Sequence, residues 1–118
     1  MSNRDYRMFL QDIFDSAAKI EQYTYTMDFD SFQHNQMAAD AVIRNFEIIG
    51  EASTHIPDAI KLKYPSIPWN KMKAIRNIVI HAYFGIDYET LWETIKTSLP
   101  LLKEEIANII SLENTKEL

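Results

Sequence analysis

The sequence predicts an all-α protein, an up-and-down bundle of four main helices joined by short connecting helices. Three observations carry that prediction. Apolar residues recur every three to four positions along several long stretches. Only two Gly and four Pro occur in 118 residues, too few for the many turns of an all-β chain. Hydrophobic residues make up 47%, enough for a core and too many for disorder. The length fits one domain spanning residues 1–118, with a frayed tail from about residue 113.

The first helix is expected over residues 3–23. Tyr6, Phe9, Leu10, Ile13, Ala17 and Ile20 form its apolar stripe, with polar residues between them. Residues 28–32 form a connector with turn chemistry and room for one helical turn. Phe29 and Phe32 are expected to pin it to the core. A second helix covers residues 36–55. Ala38, Ala41, Val42, Ile48, Ile49 and Ala52 share one arc with Asn45, and Asp40, Arg44, Glu47 and Glu51 share the opposite one. A third side, Ala39, Ile43, Phe46 and Gly50, is small and apolar. A helix apolar on two sides needs two partners, one of which can be a second subunit. Residues 57–64 read as a short helix stopped by Pro65, and Pro68 suits the first turn of a third long helix reaching Phe84. Asp87 is a good N-cap for a fourth, with Glu89 in its first turn, and Pro100 must kink or restart that helix.

Composition bounds the function. No Cys is present, which excludes disulfides and thiolate metal sites. The N-terminus leads into charged amphipathic sequence, and no apolar run approaches transmembrane length, so a soluble cytoplasmic protein is expected. The formal net charge of −5 argues against non-specific nucleic-acid binding, which is mainly phosphate neutralisation. It leaves room for a local basic groove that holds one phosphate.

The third long helix has two different faces. Ala74, Ile75, Ile78, Val79 and Ala82 share a uniformly apolar arc. Arg76, Asn77, Ile80, His81, Tyr83 and Phe84 share the opposite arc, which is neither a solvated face nor a core face. Such a mixture suits a site built inside a protein–protein groove. Arg76 and Tyr83 lie seven apart on one stripe, and Asn77 and His81 lie four apart as neighbours. Arg76 and His81 are about 140° apart around an ideal helix, so they do not touch, although a phosphate across the groove can meet both. Gly85 is placed to end the helix with a left-handed cap.

Each of these residues has two readings. His81 is either a structural histidine at a helix C-terminus or a proton-exchanging catalytic group. Arg76 is an ion-pair partner for Glu47 or Glu51, a bidentate phosphate clamp, or both in turn. Asn77 is an exposed polar residue or fixes the His81 ring. Tyr83 is an amphipathic packing residue or something more. His34, in a polar connector, and His55, near the end of the second helix, are weaker candidates. Asp40, Glu47 and Glu51 read as a solvated or Arg-paired face rather than a cation site. No metal-ligand spacing, Gly-rich phosphate loop or nucleophilic Ser or Cys setting is visible, and no cofactor is expected.

The run from Arg76 to Tyr83 is R-x4-H-x-Y, and here the chain resembles a known family, the HEPN-domain ribonuclease toxins of the HepT type. The neighbouring text is similar too: Ala41-Val-Ile-Arg-Asn-Phe-Glu-Ile-Ile-Gly-Glu-Ala52, then Tyr64-Pro-Ser-Ile-Pro-Trp69, then Tyr83-Phe-Gly-Ile-Asp87. The resemblance runs from about Asp12 to Ile110, in family order. It implies a HEPN-type bundle, a homodimer, and a metal-independent endoribonuclease in a toxin–antitoxin system. It implies Arg76 and His81 as catalytic residues, with Asn77 in support. It further implies an MntA-type minimal nucleotidyltransferase antitoxin that attaches AMP to Tyr83. Transfer RNA is a candidate substrate by family analogy. The dimer surface is expected on the third side of the second helix together with Ile80 and Phe84. The competing expectation is a non-catalytic HEPN binding or scaffold module that serves as the nucleotidyltransferase's partner and substrate.

Overall fold

A computed structural model describes residues 4–72, 75 and 85–115. Every regular element among them is a helix. Helix α1 (Tyr6–Thr24) starts at Asp5, whose side chain accepts from the Arg7 backbone N–H at 2.9 Å, and buries Phe9, Leu10, Ile13, Ala17 and Ile20. The expected stripe is therefore the buried one, with Tyr6 half-exposed at its start. The 28–32 connector does take a helical turn, α2 (Phe29–Gln33). Asp28 and Ser31 close a capping box there, each satisfying an orphan backbone N–H. Phe32 is fully buried, 5.8 Å from the Tyr88 ring and 5.3 Å from that of Trp92. Phe29 is only half-buried.

Helix α3 (Gln36–Thr54) is capped by Asn35. Its third side differs from the expectation of a dimer surface. Ala39 and Phe46 have no exposed area and Gly50 is buried, while Ile43 is partly buried against the core. The second partner of this two-sided helix is supplied within the chain. Phe46 shares a cavity wall with Met72, Ile75, Leu99 and Leu102, residues far away in sequence. Helix α4 (Asp58–Lys63) follows Pro57 and ends before Pro65.

Residues 69–72 and Ile75 are helical, with Lys71 and Met72 N–H groups donating to the Pro68 carbonyl at 2.9 and 3.1 Å. Helix α5 (Tyr88–Lys96) begins where expected. Asp87 accepts from both the backbone N–H and the hydroxyl of Thr90, at 3.1 and 2.7 Å. The chain breaks at Thr97 and restarts as α6 (Ser98–Thr115), so Pro100 falls in a first turn, where its missing donor removes no helical bond. Helix α1 packs on α3 and α6, and α2 bridges α3 to α5. The core they enclose includes Leu10, Ile13, Phe46, Ile49, Leu99 and Ile106, each at most 1% exposed. No helix among the described residues is long and apolar enough to cross a membrane.

Candidate active site and the cavity beside it

The segment that leads into the motif starts from a fixed corner. Pro65 stops α4, and the Ile67 N–H turns back to the Tyr64 carbonyl at 3.3 Å. The Trp69 indole donates to that carbonyl at 3.0 Å, so one backbone oxygen is held from two directions. Ile67 and Met72 are buried at 3% and 1%, and Ile75 at 9% closes the described part of the segment. Arg76, Asn77, His81 and Tyr83, with Ile80 and Phe84, lie outside the described residues. So does the pairing of Arg76 with Glu47 or Glu51. The chain is described again from Gly85, whose φ of +139° is positive but wider than a left-handed cap requires. A Cβ there would meet no atom within 4 Å, so backbone conformation rather than space is the reason for glycine.

At residues 66–75 is a cavity of about 530 Å³. Phe46, Met72, Ile75, Leu99 and Leu102 give it an apolar lining, and Lys71 and Glu105 bring charge to it. The Glu105 Oε2 atom is shielded from solvent and accepts no hydrogen bond, the one such buried side-chain atom among the described residues. Ile75 is joined directly to Arg76, so the cavity and the motif share one stretch of chain.

A second, shallower groove of about 390 Å³ lies between α1 and α3. It collects the Arg44, Glu47 and Glu51 arc together with Arg4, Asp12 and His55. Phe9 is its centre: His55 stacks on it with centroids 4.6 Å apart, and the Arg4 guanidinium lies 4.5 Å from its centroid. Arg4 also bonds Asp12 at 2.8 Å, and His55 Nε2 lies 3.3 Å from Glu51. His55 caps the C-terminus of α3, and His34 that of α2, 2.8 Å from the Asp30 carbonyl. Among the described residues no three His, Cys, Asp or Glu side chains are grouped to hold a metal ion.

Residues 113–115 are helical where fraying is expected, and residues 116–118 lie outside the described residues. Helix α6 runs to Thr115, and Glu113 is only 4% exposed. Tyr6 donates to its Oε1 at 2.6 Å, Lys63 donates to its Oε2 at 2.9 Å, and the Tyr64 hydroxyl donates to the same oxygen. These donors, Tyr6 first, hold the Glu113 carboxyl down at about 2. The phenols move the other way. Tyr6 is pushed up to about 12, mainly by its bond to Glu113, and Tyr64 to about 12, mainly by burial. The signal for the burial of Glu113, though not for its donors, was present in the sequence. Leu99, Leu102, Ile106, Ile109 and Glu113 continue one three–four spacing, so Glu113 sits on the buried stripe.

Comparison with known proteins places this fold. The profile of the family described as "Ribonuclease HepT-like" matches residues 13–109. A Methanocaldococcus jannaschii protein named "Putative RNase" is 46% identical over 106 residues, 90% of this chain and 97% of the relative. A "Probable ribonuclease HepT" from Thermococcus cleftensis is 43% identical over 100 residues, 85% of this chain and 91% of its own. A Caldanaerobacter subterraneus relative is 30% identical over 107 residues, 91% of this chain and 96% of its own. No solved structure matches the chain. A family profile covering most of the chain and relatives aligned over nearly their whole lengths lead to one conclusion: the chain belongs to the HepT-like ribonuclease family.

Proposed function

We propose that the protein is an endoribonuclease, working as a homodimer and as the toxin half of a toxin–antitoxin pair. The observation that carries this reading is the R-x4-H-x-Y run at Arg76, His81 and Tyr83, inside a chain that matches the HepT-like family from residue 13 to 109. The relatives named as RNases support the reaction class. His81 takes the proton from a ribose 2′-hydroxyl. The freed oxygen attacks the adjacent phosphorus, Arg76 stabilises the charge that builds on the phosphoryl oxygens, and the O5′ bond breaks. A second histidine is needed to protonate O5′, and a two-fold axis supplies it as His81 of the partner subunit. The products are a 2′,3′-cyclic phosphate and a 5′-hydroxyl. Asn77, one turn before His81, orients its ring. DNA lacks the nucleophile and is not cut, and the reaction needs no metal ion. Transfer RNA is the first substrate to try.

Tyr83 lies on the Arg76 stripe, seven positions on. A nucleotidyltransferase antitoxin of the MntA type that attaches AMP there would set a phosphate against Arg76 and fill the groove. The formal net charge of −5 favours a second reading, a non-catalytic module that serves chiefly as that enzyme's partner and substrate. The test is to incubate unmodified protein with total cellular RNA in EDTA and map the fragment ends, beside an Arg76→Ala/His81→Ala variant. Cleavage that leaves cyclic phosphate, survives EDTA and falls at least about 10³-fold in the double variant is the expected result. Absence of cleavage by a demonstrably unmodified dimer transfers the assignment to the binding module.

A further inference from the structure

We infer that the face formed by α2 and α5 is a docking surface for a basic protein partner, one that presents Arg or Lys beside apolar side chains. The inference stands apart from the ribonuclease reading, since every residue it uses lies outside the motif.

Charge is spread unevenly over this chain. Helices α2 and α5 with their N-caps, residues 28–33 and 87–96, carry Asp28, Asp30, Asp87, Glu89 and Glu93 against one base, Lys96. Two short helices that pack on each other thus hold −4 of the chain's net −5. All five acidic residues are exposed. Asp28 and Asp87 cap their helices, and Asp30 lies 3.6 Å from the exposed His34 ring.

The same two helices carry aromatic surface. The Phe29 and Trp92 rings are 6.4 Å apart, and Tyr88 and Trp92 both pack on the buried Phe32. Phe29, Tyr88 and Trp92 are each only half-buried. The chain enters α2 from Tyr25 and leaves it toward Met37, which are 76% and 82% exposed. Aromatic and Met side chains are the ones that protein interfaces concentrate. The face also shows the kind of group it takes. The Lys96 ammonium lies over Trp92, 4.6 Å from the ring centroid, so a cation already sits on this aromatic surface.

Charge then selects the occupant. Five carboxylates repel RNA phosphates and an anionic membrane surface. A second copy docking through the same face would set like charges against each other, and the rest of the chain, at a net −1, offers a copy little attraction. No three of the acidic side chains are grouped to hold a metal ion. A basic protein surface meets both halves of the face. Its Arg or Lys pair with Asp30, Glu89 and Glu93, and its apolar residues cover Phe29, Tyr88 and Trp92. Arg suits the site best, because its planar guanidinium pairs with a carboxylate and stacks on a ring.

The experiment titrates the full-length protein into a fluorescein-labelled helical peptide of Leu, Ala and Arg. Anisotropy reads binding, and the Trp92 indole NMR signal locates it. Two control peptides replace Arg by Glu, or Leu by Ser. The face variant is Asp30→Lys/Glu89→Lys/Glu93→Lys. Asp15→Lys/Asp58→Lys/Glu104→Lys makes the same charge change at exposed acids elsewhere, and circular dichroism checks that both keep their helix content. We expect the Arg–Leu peptide to bind and shift Trp92, and the Glu peptide not to bind. The face variant should lose at least about tenfold in affinity while the control variant stays within about threefold of wild type. Equal losses in the two variants reduce the effect to net charge and overturn the face. An Arg–Ser peptide that binds as tightly as the Arg–Leu peptide makes this a polycation site and overturns the protein docking surface. Failure of the Arg–Leu peptide to bind, or binding that leaves Trp92 unmoved, overturns the inference outright. Self-association of the wild type that the face variant abolishes gives the face to a second copy and overturns it as well.

Discussion

Glu105 and Glu113 stand eight residues apart on the same helix, carry the same functional group, and live in opposite circumstances. Glu113 is 4% exposed and receives donors from Tyr6, Lys63 and Tyr64, three residues from two other parts of the chain. Glu105 also keeps an oxygen from water, and that oxygen receives none. The difference separates two uses of a buried charge. A carboxylate whose donors are all internal is part of the scaffold, because both its oxygens are answered before any ligand arrives. A carboxylate with an oxygen sealed from water and unanswered is a cost to the folded chain. One end of α6 is thus tied into the fold by three donors, and its middle carries a carboxylate oxygen that has none.

The largest effect that would break this comparison belongs to Glu113. Glu113→Ala leaves two phenols and an ammonium without their acceptor, and should lower unfolding free energy by about 2–4 kcal/mol in urea titrations. The same variant should flatten the acid side of the pH–stability curve. In the wild type Glu113 ionises near 2 when folded, against 4.5 for an unperturbed glutamate. Its contribution is therefore complete above about pH 4.5 and disappears as pH falls toward 2. On the alkaline side the phenols are raised from 10 to about 12, so their contribution is complete below pH 10 and is lost as pH climbs toward 12. A wild-type acid flank identical to that of Glu113→Ala would show that the carboxylate does not titrate this way.

A smaller effect sharpens the assignment. Tyr6→Phe and Tyr64→Phe each remove one donor and leave the others, and should cost about 1–2 kcal/mol apiece by the same titration. Their effects should be less than additive, because both act through one carboxylate. The smallest effect has the opposite sign. Glu105→Leu replaces the unanswered oxygen with apolar atoms, and should leave the melting temperature unchanged or raise it by a few degrees. A loss as large as that of Glu113→Ala would mean that Glu105 is scaffold as well.

The helices were legible in the sequence wherever punctuation and periodicity agreed. Asp28, Pro57, Pro65 and Asp87 marked boundaries that the structure keeps. Two misreadings have one cause. The third side of α3 looked like a surface for a second subunit, yet Phe46 and Gly50 are covered by the chain itself. A helix's own periodicity tells how many faces are apolar, not whose atoms cover them. Residues from 113 on looked like a fraying end because they are polar, although Glu113 continued the buried stripe; its donors are 107 and 49 residues away and no local pattern announces them. The motif was visible as a spacing from Arg76 to Tyr83. The cavity at residues 66–75 was not, because its wall joins residues from 46 to 105.

The tie at Glu113 also sets an order of assembly. A ribosome releases Tyr6 first, Lys63 and Tyr64 later, and Glu113 after all three. The Tyr64 carbonyl anchors Trp69 at the corner that leads into the motif, while the Tyr64 hydroxyl waits for Glu113. That corner therefore reaches its fully bonded form only after residue 113 has been made. A nascent chain carries Arg76 and His81 for some 30 residues of translation before Glu113 is made, and one that stops before residue 113 never acquires the tie.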